Sequence, residues 1–178
     1  MLVAEKNRMK SPKASFIKSS FELIINALLQ EIEQITTKLK ELIDSDSQLL
    51  ARQKVLETIP GVGKITSQDL LALMPELGTF NRRQVASLAG LAPRANDSGK
   101  FQGYRRTGHG RASVKPVLFL AAMAARNSHS YLKAFYNNLI KRGKKKMVAL
   151  TALMRKIIVI ANAKLTDLAS GSLIIQHS

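Results

Sequence analysis

Apolar residues recur at Phe21, Ile25, Leu28, Ile32, Ile35, Leu39 and Leu42, in alternating steps of four and three, with Glu and Lys between them (EIEQITTKLKEL). This is the heptad seam of a coiled coil, and it predicts one long helix over residues 21–46. The same face would also suit an amphipathic helix packed on its own domain. Residues 1–20 are basic and Ser/Lys-rich and read as a lead-in. Asp44-Ser45-Asp46-Ser47 breaks the seam, and Ser47 is a candidate cap for the next helix. In VLETIPGVGKITSQDLLALMPEL, Val55, Leu56 and Ile59 close one helix, while Leu70, Leu71, Leu73 and Met74 lie on its successor. FNRRQVASLAGL (80–91) predicts a short helix, with Asn81 as its cap and Pro93 beyond its end. Residues 111–126, 129–141 and 147–168 continue as helices, with Pro116 near a helix start or in a kink and KRGKKK as a basic turn. A strand is expected only around Phe101 to Tyr104. The fold class is mainly α: a long heptad helix, then a compact helical domain over 47–169 and a tail at 170–178.

Composition changes the picture in two ways. A hydrophobic content of 46% supports a real core, and the absence of Cys removes disulfides and thiolate metal sites and fits a reducing cytoplasm. Twenty-eight Lys and Arg against twelve Asp and Glu leave a formal charge of +16, which attracts polyanions. Nucleic acid is the usual partner, and an anionic membrane surface competes with it. The N-terminal MLVAEKNRMK has no long apolar stretch, so no secretory signal is expected. The longest apolar run, MVALTALMRKIIVIANA, is cut by Arg155-Lys156, so it reads as a buried helix with a basic edge rather than a membrane span. Between Asp97 and Asp167 there are fifteen cations and no acid. A surface without a preferred partner mixes its signs, so this stretch points to phosphates and to nucleic acid as the partner, with a merely basic solvated face as the plainer alternative.

Two segments carry candidate chemistry. Pro60-Gly61-Val62-Gly63-Lys64 joins two helices and resembles the helix-hairpin-helix motif, placed at 55–74. Gly61 and Gly63 would let a phosphate approach the backbone, the N–H groups opening the second helix would face it, and Lys64 adds charge. An ordinary helix–turn–helix connection with glycine as a stop signal is the plainer alternative. RANDSGKFQGYRRTGHGR (94–111) combines Asp97-Ser98-Gly99 with glycines and cations. It is either a solvated loop or a serine held where a phosphate backbone will lie. A serine needs a base or an activated substrate to attack, and only Asp97 and His109 stand near Ser98 in sequence as bases.

The order of these motifs resembles one family from about Lys6 to Leu165. The heptad helix, IPGVGKITSQDLLALMPELGTF, LAGLAPRANDSGK, the Gly/Arg-rich stretch, the Ala-rich helix and GKKKMVALTALMRKI resemble the C-terminal half of bridge-RNA-guided insertion-sequence transposases. Those enzymes pair a DEDD (RuvC-like) metal domain with a serine-bearing domain. The resemblance implies that Ser98 is the nucleophile of DNA strand cleavage and rejoining through a covalent phosphoserine. It places Gly103 through Arg111 beside the DNA, and Lys115 where the family usually has an Arg. It implies a guide RNA as a further partner, assembly through the coiled coil as a dimer or tetramer, no membrane, and a nucleoid-associated, cytoplasmic location. The expected DNA contacts are Gly61, Gly63, Lys64, Lys100, Arg105, Arg106, Arg111, Lys115, Lys144, Lys145 and Lys146. No metal site is expected in this sequence, Mg²⁺ being expected only with the DEDD domain, and this chain alone is expected to be inactive. The alternative function is a non-catalytic helix-hairpin-helix module that binds nucleic acid.

Overall fold

The computed structural model describes residues 15–94, 106–108 and 110–171, and the chain divides into two compact units at Asp46/Ser47. The first described element is α1 (Ser15–Ser45), which begins inside the expected lead-in and runs unbroken to the predicted stop. Phe21, Leu28, Ile32, Ile35 and Leu42 of the heptad seam remain exposed on it, as do Leu23, Ile24 and Leu29 beside the seam. The apolar stripe is therefore wider than the two heptad positions that a strict coiled-coil seam needs.

The second unit holds α2 (Ser47–Glu57), α3 (Lys64–Leu73), α4 (Arg82–Leu88), α5 (Val114–Asn127), α6 (Tyr131–Lys141) and α7 (Lys146–Ala169), with a two-stranded ribbon, β1 (Pro93–Arg94) and β2 (Arg106–Thr107). Mainly helical structure is as expected. Ser47 is the first residue of α2, not the residue before it. Asn81 caps α4 as the sequence predicts: its side-chain oxygen accepts from the Arg83 and Gln84 amides at 2.9 and 3.0 Å, and Gln84 reaches back to the Asn81 amide. Pro116 falls in the first turn of α5, where no intrahelical amide bond is lost. The expected strand at Phe101–Tyr104 lies outside the described residues; the short strands described flank it.

The last helix is the spine of this unit. It packs against α2, α4, α5 and α6, and buries Leu150, Leu153, Met154, Ile157, Ile158, Ala161 and Leu165. Its basic break is accommodated at the edge, where the Lys156 ammonium lies 4.3 Å from the centre of the Phe135 ring. Asn162, an amide inside that apolar run, is buried because it serves the turn after α3. It donates to the Phe80 carbonyl at 2.6 Å and accepts from the Gly78 amide at 3.0 Å.

Small residues bring the hairpin against α5. Ala121, Ala122 and Ala125 are fully buried, and Gly61 lies over them with a φ of +88°. A Cβ on Gly61 would stand 2.3 Å from the Ala121 carbonyl oxygen and 2.6 Å from the Ala125 amide nitrogen. Two requirements thus select glycine here, the left-handed backbone and the close approach. Within α2 Gln53 donates to Glu57 at 2.7 Å, and across the hairpin buried Gln68 of α3 donates to Gln53 at 3.4 Å. Gly63 differs: its backbone is extended, and a Cβ there would meet nothing within 4 Å.

The two glycines should therefore separate by mutation. Gly61→Ala should destabilise the second unit by about 2–4 kcal/mol, from overpacking plus a strained left-handed alanine, and lower the melting midpoint by on the order of 10 °C. Gly63→Ala should change stability by less than about 1 kcal/mol. Thermal unfolding of the two variants checks this, and equal losses would contradict it.

Candidate nucleic-acid interface

The segment that holds Ser98 is clasped at its base. β1 and β2 pair antiparallel, Pro93 with Thr107 and Arg94 with Arg106. Ser98, Lys100, Arg105 and His109 lie outside the described residues, and Arg106 is placed by its backbone pairing in β2. Beyond the ribbon the chain is held against the C-terminal end of α4. The Arg111 amide donates to the Leu88 carbonyl at 2.8 Å. Gly110, at a φ of +90°, lies so close that a Cβ would stand 2.5 Å from the Gly90 amide nitrogen and from the Leu88 carbonyl oxygen.

Arg111, expected beside the DNA backbone, has its guanidinium engaged within the protein. It makes a two-pronged pair with Glu76, Nη1 to Oε2 at 2.9 Å and Nη2 to Oε1 at 2.5 Å, and Nη1 also donates to the Leu73 carbonyl at 2.6 Å. The hydrogen bond from Arg111 holds the Glu76 carboxyl below the usual glutamate range. Sequence reading missed Glu76 because its partner stands 35 residues away. Arg52 was missed for the same reason: it reaches from α2 to the Pro75 and Leu77 carbonyls at 2.8 and 2.9 Å. Asn162 did leave a signal, a single amide in the apolar run IIVIANA.

The other expected contacts divide into two regions. At the hairpin, Gly61 faces α5, whereas Gly63 is the N-cap of α3 and Lys64 its first residue, both exposed and with no side chain capping the helix. The amides opening α3 are thus free of side-chain partners and open to an anion. At the ribbon, Thr107, Lys115 and Met147 line one cleft, so the starts of α5 and α7 meet beside β2. Lys144 and Lys145 stand exposed just before α7, and Lys146 is its exposed first residue. Lys115 lies six residues before Ala121, roughly 9 Å along the α5 axis from the alanines that carry the hairpin. Arg126 faces the Tyr136 ring at 5.8 Å from its centre. Among the described residues no group of three His, Asp or Glu could hold a metal ion, and no helix is long and apolar enough to cross a membrane.

The Glu76–Arg111 pair predicts a pH dependence. A carboxyl held below its ordinary value contributes stability above that value and loses it as pH falls through the lowered one. The stability difference between the native protein and Glu76→Gln should be constant near neutrality and vanish in acid below the usual glutamate range. Denaturant unfolding across pH measures it, and a difference that grows in acid would contradict the pairing.

The chain is similar in sequence to known proteins. Residues 53–137 match the sequence model described as Transposase IS116/IS110/IS902 family. The chain is 29% identical over 166 residues to the pilin gene-inverting protein of Moraxella lacunata, an alignment covering 91% of this chain and 51% of that protein. The pilin gene-inverting protein of Moraxella bovis matches at the same identity and coverage. An uncharacterized 43.6 kDa protein of insertion element IS110 from Streptomyces coelicolor is 34% identical over 115 residues, covering 64% of this chain and 28% of that protein. The chain spans about half the length of the Moraxella relatives. The stretch from the hairpin through the ribbon to α6 is similar to the transposase domain that this family model describes.

Proposed function

We propose that this chain is the DNA-binding, strand-exchanging part of an insertion-sequence transposase, with Ser98 as its nucleophile. The observation that carries the reading is the span of the family match, residues 53–137, which takes in the hairpin, RANDSGK and RRTGHGR. The two Moraxella relatives are named for inverting a pilin gene, and inversion requires that DNA strands be cut and rejoined. In the reaction, the Ser98 Oγ attacks a phosphodiester phosphorus and gives up its proton to a base, for which Asp97 and His109 are the candidates nearest in sequence. The bond from phosphorus to one deoxyribose oxygen breaks, and that oxygen takes up a proton. Attack by a second strand's hydroxyl on the phosphoserine reverses these steps. Lys100, Arg105 and Arg106 supply the charge that steadies the phosphoryl group. Arg111 acts through position: it fixes the end of the segment, and its guanidinium serves Glu76.

Lys115 and the Lys144–Lys146 turn extend the same reading to the phosphates flanking the cut, and the open N-terminus of α3 at Gly63 and Lys64 supplies a separate backbone contact. A guide RNA would meet the same basic surface as DNA. The exposed stripe of α1 is the assembly surface, and its width suits more than one neighbouring helix. That open helix start also favours a second reading, a binding module without chemistry.

Three measurements test this. In a full-length family transposase carrying this sequence, Ser98→Ala should abolish strand exchange while DNA affinity changes only modestly, by the loss of at most one hydrogen bond of about 1 kcal/mol. Strand exchange within a few-fold of the native level would leave the binding module as the reading. Replacing Lys144, Lys145 and Lys146 by Gln should reduce the slope of log affinity against log salt by about 2–3 if each lysine meets a phosphate; an unchanged slope would remove that turn from the interface. Ile32→Asp should shift the chain toward monomer in light scattering, and a native chain that is already monomeric at high micromolar concentration would contradict the assembly surface.

A further inference from the structure

The cleft beside the ribbon has a composition that phosphate binding leaves unexplained. It measures about 320 Å³, within the size range of small-ligand sites, and its walls include Leu91, Pro116, Phe119, Met147 and Met154. Phe119 and Met147 are 36% and 63% exposed, so the domain leaves part of an aromatic ring and a flexible thioether in water next to its basic segment. Thr107 of β2, Lys115 of α5 and Thr151 of α7 supply the polar part of the lining. No acid occurs anywhere in the sequence from Ser98 to Thr166.

We infer that this cleft receives an unstacked nucleobase, with Phe119 as the stacking platform and Lys115 beside it for the adjoining phosphate. The inference rests on the DNA-binding reading above and adds the state of the DNA: a base turned out of the duplex, or a single strand, next to the segment that holds Ser98. A purely electrostatic interface would need only the lysines, because phosphates carry the charge whatever the bases do. An open, largely apolar cleft with Phe119 and Lys115 in its lining matches a base with its phosphate, since every base offers a flat face to stack and single-strand sites combine such platforms with positive charge. A second copy of this chain is a poor occupant, because it would bring another strongly cationic surface against Lys115 and the Lys144–Lys146 turn.

The test uses the full chain, fluorescence anisotropy and two labelled probes, a fully paired duplex and the same duplex with an internal run of unpaired bases. The native chain should prefer the second probe. Phe119→Ala should weaken that probe roughly tenfold, the usual loss of one base–aromatic stack. The paired duplex and the salt slope should be unaffected, because a neutral side chain contacts no phosphate. Phe119→Trp should restore the preference, which separates stacking from a general loosening of α5. Equal binding of both probes by the native chain, or equal losses in Phe119→Ala, would overturn the inference while leaving DNA binding intact. Failure to bind either probe would overturn both readings. Phe119-dependent binding to phosphatidylserine vesicles without any preference for unpaired DNA would make the patch a membrane contact and overturn the inference as well.

Discussion

One guanidinium holds together parts of the chain that sequence separates. Arg111 closes the Gly/Arg-rich segment, and its side chain reaches the turn after α3, where Glu76 and the Leu73 carbonyl receive it. The same turn is held from α2 by Arg52 and from α7 by Asn162, while the Thr166 hydroxyl of α7 donates to the Gly78 carbonyl at 2.7 Å. Irregular backbone between helices is thereby satisfied by side chains from several elements, as a partly buried turn requires. Because Arg111 belongs to this arrangement, the end of the candidate catalytic segment inherits the rigidity of the core.

A second constraint is steric. The hairpin approaches α5 through Gly61 and the alanines at 121 and 125, close enough that a methyl group would collide. Close packing of this kind lets the hairpin present its outer side, Gly63 and Lys64, while its inner side is locked. The two glycines of GVG look alike in sequence and do different work. One makes the fold possible, and the other leaves the helix start open.

Helix positions were legible because their causes are local. Heptad spacing, the Asn81 cap with Gln84, and the tolerance for Pro116 in a first turn all act within a few residues, and α1, α4 and α5 arise from them. The buried, basic-edged character of α7 was legible as well, since its apolar run is interrupted by Arg155-Lys156. The partners of Arg111, Arg52 and Asn162 were not legible. Each is a long-range pairing, and nothing within a helical turn of these residues announces it. The inward face of Gly61 was hidden for a related reason: glycine permits both a phosphate contact and a helix contact, and only packing decides. The cleft at Phe119 required several segments to converge, and no motif records that. Ser98 was singled out by resemblance and by its charged surroundings, and the described residues locate the two ends of its segment.

The central claim is that the segment clasped by the ribbon and anchored by Arg111 presents Ser98 to DNA as a nucleophile. Its most direct test is the chemical identity of the protein–DNA link formed during strand exchange. A full-length transposase carrying this sequence, incubated with a DNA substrate that stalls after cleavage, is digested with protease and nuclease and read by mass spectrometry. The expected product is a nucleotide joined through phosphate to the Ser98 hydroxyl. A nucleotide joined to any other residue, or efficient exchange with no covalent link at any stage, would contradict the claim.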